Sequence, residues 1–176
     1  MLKIYDNFFD STFLSYIENL IAETKKEYNW NVNHFVFPEH IRHNPGTVLS
    51  NVLAEKDKTI IINELLSKKF FSTPPSLFEA YFQIGLPNSS IDWHQDNIVR
   101  EKPIDRIGLT VYLNREWEDH WGGFFMYEDN DKLSAIRPKF NCAVCQTSLK
   151  HCTTIISPIA EPRLTLQLFF DSSCLI

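Results

Sequence analysis

After Pro74-Pro75 the chain becomes a succession of short β-type runs separated by turn residues, at 77–84, 91–94, 107–113, 124–128, 133–136, 140–147, 153–156 and 164–170. Runs of this length, rich in β-branched and aromatic residues, read as strands. About eight of them in one domain point to a sandwich or jelly roll, two sheets whose inner faces enclose a pocket. The first 75 residues have a different texture. Ser11 reads as an N-cap, Phe13, Leu14, Ile17, Leu20 and Ile21 follow at helical spacing, and Lys25 and Lys26 sit where the helix dipole favours cations. A second helix is expected over about 57–70, carried by Ile60, Ile61, Leu65 and Leu66 and closed off by Ser72-Thr73-Pro74-Pro75. Between them, 28–45 has no clear period and collects Trp30, Phe35, Phe37, His34, His40, Arg42 and His43 before the Asn44-Pro45-Gly46 turn. It reads as a long solvated loop or irregular strand, with a substrate-facing lid as the sharper alternative.

The expectation is one mainly β domain with N-terminal helices, in which 1–75 is largely helical support and 76–176 is a jelly-roll core. A chain of 176 residues with 44% hydrophobic content and 14 Phe can bury an aromatic-rich core. A net charge of −5 supplies no broad basic field, which argues against avid phosphate-backbone binding. Acidic residues interrupt the start before any long apolar run, and nothing approaches transmembrane length, so a cytoplasmic protein without a membrane partner is expected. Cys142, Cys145, Cys152 and Cys174 all lie in the last third and cannot staple the N-terminal half, so reduced thiols are the default.

The chemistry begins at Trp93-His94-Gln95-Asp96. On an extended segment an H-x-D step sends an imidazole and a carboxylate from the same face. A second histidine from a later strand, His151, completes a two-histidine, one-carboxylate set whose open positions suit non-haem Fe(II) and oxygen chemistry. Further on, Arg163 and Thr165 share one face of a strand, where a planar guanidinium beside a hydroxyl can grip a carboxylate. Cys142-Ala143-Val144-Cys145 with nearby His151-Cys152 could also be read as a zinc site. In an alternating strand, however, its two cysteines point to opposite faces, so small buried hydrophobes are the better reading.

The order of His94-Gln95-Asp96, His151 and Arg163-Leu164-Thr165 resembles the 2-oxoglutarate and Fe(II)-dependent oxygenases, in particular the prolyl-4-hydroxylase-like branch with its double-stranded β-helix core. The resemblance extends to Ile4-Tyr5-Asp6-Asn7-Phe8-Phe9 before the first helix, to Tyr81 through Gly85, to Leu109-Thr110-Val111-Tyr112-Leu113-Asn114, and to Trp117 with Trp121-Gly122-Gly123-Phe124. It implies that His94, Asp96 and His151 bind iron and that Arg163, assisted by Thr165, pairs with the far carboxylate of 2-oxoglutarate. Tyr81 is a further cosubstrate candidate. O2 is the oxidant, succinate and CO2 the coproducts, and ascorbate a reductant such enzymes use. A carboxylate at Asp96 favours hydroxylation, since related halogenases have a small residue there. The implied substrate is a prolyl or other residue of a peptide or protein, with a free amino acid or other small molecule as the alternative. A non-catalytic jelly-roll metal-binding module is the competing class. His120, Trp93, Trp117 and Trp121 read either as core aromatics or as walls of the substrate cleft, and Glu116, Glu118, Asp119, Glu128, Asp129 and Asp131 as a solvated face. The oligomeric state stays open.

Overall fold

A computed structural model describes residues 2–26, 30–32, 47–96, 106–147 and 149–175. His34, His40, Arg42 and His43, and with them the lid expectation, fall outside the described residues. Two antiparallel sheets face each other. The larger contains β1 (Leu2–Tyr5), β2 (Asn31–Val32), β3 (Val48–Val52), β4 (Phe78–Gly85), β6 (Arg106–Tyr112), β9 (Ala143–Thr147) and β11 (Arg163–Asp171), in the spatial order β1-β9-β6-β11-β4-β3-β2. The smaller contains β5 (Ile91–His94), β7 (Phe125–Asp129), β8 (Lys132–Ile136) and β10 (His151–Thr153), in the order β5-β10-β7-β8. Strands jump between sheets along the chain, as in the expected jelly roll.

The strands after Pro75 lie close to where their alternation placed them, except that the run expected over 153–156 is displaced: β10 is His151–Thr153, and 154–156 lies outside it. The first 75 residues hold more sheet than expected. β1 pairs with β9 and β3 pairs with β4, because Val48–Val52 supplies the outer neighbour that β4 would otherwise lack. Phe140 and Asn141 form a turn rather than the start of β9. Asn141 adopts φ +55°, and its amide accepts from the Phe9 N–H at 2.9 Å and donates to the Phe9 carbonyl at 2.8 Å. That one side chain latches the N-terminal segment to the entrance of β9.

Helix α1 (Ser11–Lys26) starts at the residue expected to cap it, and the cap lies one residue earlier: the Asp10 carboxylate, not Ser11, accepts from the Phe13 N–H at 2.9 Å. Its Phe13, Ile17 and Ile21 are buried at four-residue spacing. Helix α2 (Glu55–Ser67) stops before the double proline, at Lys68 and the left-handed Lys69 (φ +56°). Tyr16 of α1 donates to buried Asp57 of α2 at 2.9 Å, tying the two helices together.

The main core lies between the helices and the larger sheet. Leu166, Leu168 and Phe170 of β11, Ile107, Leu109 and Val111 of β6, and Ala80 and Phe82 of β4 all project to that side and are buried with Ile17, Ile61 and Leu65. Each buried aliphatic or aromatic side chain contributes roughly 1.5–3 kcal/mol. The alternate residues, Arg163, Thr165 and Gln167 on β11 and Gly108, Thr110 and Tyr112 on β6, turn to the space between the sheets. Cys142 packs on that inner side with Tyr112 and Val144, whereas Cys145 joins the helix-side core. The two thiols therefore diverge, and burial pushes the Cys145 thiol up to about 11, a range in which it stays protonated.

Candidate active site

Between the sheets lies a cavity of about 470 Å³ lined by residues of both. His94 ends β5 and His151 opens β10, and the two stand directly opposite one another in the antiparallel pair, with ring centroids 4.2 Å apart. Asp96 follows two residues after His94. Its Oδ1 lies 3.5 Å from His94 Nε2 and 3.9 Å from His151 Nε2. Potential donor atoms of the three residues fall within 4.8 Å of one another, and among the described residues no other group of three His, Cys, Asp or Glu does so. An octahedral ion with bonds of about 2.1 Å holds neighbouring donors about 3 Å apart, so a small contraction of this set would encircle a divalent metal.

Backbone carbonyls set the tautomers. His94 Nδ1 is 2.6 Å from the Asp92 carbonyl and His151 Nδ1 is 2.8 Å from the Leu149 carbonyl. A carbonyl only accepts, so each Nδ1 carries the proton and each Nε2 keeps a lone pair for a metal. Phe125 stacks on the His151 ring at 4.9 Å and fixes its plane. Burial lowers the pKa of His151 and favours the neutral, ligating form. Burial works the other way on Asp96, but the imidazoles and the Arg106 guanidinium outweigh it and hold the carboxyl below its ordinary range.

Deeper between the sheets, Arg163 at the start of β11 is only 3% exposed. Its guanidinium carbon lies 5.2 Å from the centroid of the Tyr112 ring. Arg163 Nε and the Tyr112 hydroxyl are both buried without a hydrogen-bond partner, an expensive arrangement unless a ligand completes it. Burial raises the Tyr112 pKa despite the adjacent guanidinium, so the phenol remains a donor. Thr165 is fully buried, and its Oγ1 accepts from Gln167 Nε2 at 2.9 Å, which leaves the threonine's own hydrogen to donate. Gln167 Oε1 in turn accepts from Thr110 at 2.8 Å. Two cationic or neutral donors and a hydroxyl beyond a three-donor metal set fit a short dicarboxylate that reaches from one to the other.

Tyr81 lines the same cavity but stands opposite Gln167, stacked on Phe169 at 5.8 Å, nearer Asp96 than the Arg163 end. Tyr112 is thus the tyrosine beside Arg163, and sequence reasoning had assigned it only to a strand. Its role comes from its pairing with Thr165 across β6 and β11, a register that the sequence alone does not show. The Gly122-Gly123 turn supports this end of the pocket. A Cβ on Gly122 (φ +66°) would lie 2.2 Å from the Ile155 carbonyl, and one on Gly123 would lie 3.0 Å from Arg163 Cδ and 3.1 Å from the Trp117 ring. Trp117 is buried, donates to the Gly122 carbonyl at 2.9 Å and packs edge-on against Trp121. It braces the Gly122-Gly123 turn. Trp93 lies on the outside with Lys150 over its ring, and Asp119 and Glu128 are paired with Arg137 and Lys150 on the solvated face.

Two histidines and one carboxylate presented from strand ends into a jelly-roll pocket define the mononuclear non-haem metal oxygenases. Residues 79–171, more than half of the chain, match the model of the 2OG-Fe(II) oxygenase superfamily, and the chain belongs to that family. It is therefore an enzyme that works with Fe(II), 2-oxoglutarate and O2. No curated protein sequence matches it. Its fold is that of the prolyl-4-hydroxylase-like branch. A Pseudomonas putida prolyl-4-hydroxylase superposes with TM-score 0.72 at 14% identity, covering 97% of this chain and 91% of that one. A Trichoplax adhaerens prolyl hydroxylase in complex with a hypoxia inducible factor peptide fragment gives 0.76 at 13% identity, covering 97% and 83%. HygX from Streptomyces hygroscopicus, with nickel, 2-oxoglutarate and hygromycin B bound, gives 0.66 at 13% identity, covering 98% and 83%.

Proposed function

We propose that this enzyme hydroxylates an unactivated C–H bond of a peptide or protein, with a prolyl residue as the leading substrate. In this reading His94, Asp96 and His151 hold the metal, and Arg163, Thr165 and Tyr112 hold the far carboxylate of 2-oxoglutarate. The observation that carries it is the convergence, in one cavity, of three metal-type donors and a buried guanidinium with an unpartnered Nε. Bound Fe(II) with 2-oxoglutarate and O2 supplies the oxidising power, and the cosubstrate leaves as succinate and CO2.

The chain's own residues do the rest. The carbonyls of Asp92 and Leu149 engage the two Nδ1 atoms and so aim both imidazoles inward through Nε2. Arg163, Tyr112 and Thr165 orient the cosubstrate along the Thr110-Gln167 ladder, and the aromatic wall of Phe125 and Tyr112 keeps that end dry. The other end of the cavity is lined by Val32 and Val52, exposed valines on the outer strands of the larger sheet and an apolar border suited to an extended peptide. The peptide complex of the Trichoplax relative supports that choice. A second reading, a free amino acid or other small polar molecule, draws on the charged mouth. There Arg106 pairs with Glu79 and stacks over Phe169 at 4.1 Å, with Lys58 nearby. The antibiotic bound by the Streptomyces neighbour supports it.

The test is succinate release with Fe(II) and 2-oxoglutarate, followed by mass spectrometry of prolyl peptides and of free amino acids for the gain of one oxygen. Undiminished succinate release after replacement of His94, Asp96 or His151 by alanine would overturn the site assignment. Oxygen gained only by free amino acids would overturn the peptide assignment.

A further inference from the structure

We infer that Gln146 is a positioning residue that keeps Asp96 a one-oxygen ligand and thereby keeps a coordination position open for O2; the inference rests on the metal site proposed above. Gln146 lies on β9, 3% exposed, directly opposite Gly108 of β6. Its Nε2 donates to Asp96 Oδ2, and its Oε1 accepts from the Leu149 N–H at 3.3 Å. The orientation of the amide follows from these partners. Turned over, it would set an oxygen against a carboxylate and an NH2 against an N–H.

Leu149 is also the residue whose carbonyl accepts from His151 Nδ1. One glutamine therefore connects two of the three metal-type donors, fixing the carboxylate directly and the imidazole through a single intervening residue, Leu149. Gly108 makes room for this contact. A Cβ there would lie 2.8 Å from Asp96 Oδ2 and 3.0 Å from Gln146 Nε2. Oδ2 is thus engaged by an amide on the sheet side, while Oδ1 faces both Nε2 atoms.

The consequence is a matter of counting. A six-coordinate ion held by two imidazoles and one carboxylate oxygen has three open positions. The keto acid end of 2-oxoglutarate would occupy two of them and leave one for O2. A carboxylate free to swing its second oxygen onto the metal would fill that last position. Gln146 prevents this by giving Oδ2 a better-placed partner.

The experiment uses Mn(II) in the full chain without cosubstrate and counts bound water by the broadening of the Mn(II) resonance in ¹⁷O-enriched water. The wild type should hold three waters. Gln146→Leu should hold two, keep its Mn(II) affinity, and lose roughly 10–100-fold in Fe(II)-dependent succinate formation. Gln146→Met, which preserves the length of the side chain without its donor, is read in the same way and decides the matter if the leucine variant does not fold. Three waters in the variants would overturn the inference, as would a loss of Mn(II) affinity that accounts for the lost turnover. A wild-type chain that takes up no Mn(II) would instead overturn the metal assignment, and the inference with it.

Discussion

The two faces of the larger sheet use the same strands for opposite purposes. On the helix side, Leu166, Leu168 and Phe170 of β11 interlock with Ile107, Leu109 and Val111 of β6 and with both helices. On the pocket side, one residue out of step, Arg163, Thr165 and Gln167 meet Thr110 and Tyr112 in a row of polar groups. The first face is apolar and closed, and it supplies stability. The second is polar and partly unpaired, and it is what a charged cosubstrate needs. Burial alone does not distinguish them, because β11 is buried almost throughout. The period of two does, and the chemistry can therefore be altered without opening the core.

This partition can be broken or sharpened by experiment. The largest effect is expected across the pocket, where His94→Ala, Asp96→Ala or His151→Ala should lower succinate release by about 10³-fold or more while leaving the thermal midpoint of the metal-free protein nearly unchanged. Next comes the helix face. Phe170→Ala should cost about 3–5 kcal/mol in denaturant unfolding, with the specific activity of the remaining folded protein retained. A Phe170 variant that stays stable but inactive would break the partition. Arg163→Met should raise the KM for 2-oxoglutarate by about 10–100-fold, and Tyr112→Phe by a smaller factor, both in steady-state assays and neither with a large loss of stability.

The smallest effect marks where the rule ends. Asp171 continues the pocket-side row, but its carboxylate accepts from the N–H groups of Ser76 and Leu77 and the hydroxyls of Ser76 and Ser173. Burial opposes its ionisation, yet these donors bring its pKa down to about 2. Its ionised form therefore stabilises the fold at and above the ordinary carboxylate range near pH 4, and that contribution disappears as pH falls toward 2. Asp171→Asn should unfold with a shallower dependence on pH between 4 and 2, measured by urea melts at each pH, with unchanged turnover at neutral pH.

Much of the site could be read without coordinates. H-x-D brings its two donors together although β5 ends at His94 and Asp96 lies in the turn that follows, and Arg163 and Thr165 declare their common face by alternation. Tyr112, Gln146 and Gly108 could not be found this way. Each sits in an apolar run whose residues look like core, and each gains its role from register: Tyr112 beside Thr165, and Gly108 beside Gln146 and under Asp96. The strand-rich half was legible because its turns are punctuated, whereas β1 and β3 were not anticipated as sheet strands, since a four- or five-residue segment without a hairpin partner nearby carries little signal of its own. The same short-range logic placed the cap of α1 on Ser11, although Asp10 has the carboxylate that reaches Phe13.

The pairing of Leu2–Tyr5 with β9 bears on how the molecule avoids itself. Without β1, the strand Ala143–Thr147 would be the free edge of the larger sheet, with Ala143, Val144 and Cys145 all buried in the intact fold and none of them charged. Such an edge is a template for strand addition between copies, and the opening residues act as its guard, held in place by the Asn141 latch on Phe9. Removing residues 1–6 should therefore show first as concentration-dependent self-association in light scattering, before any change at the distant metal site.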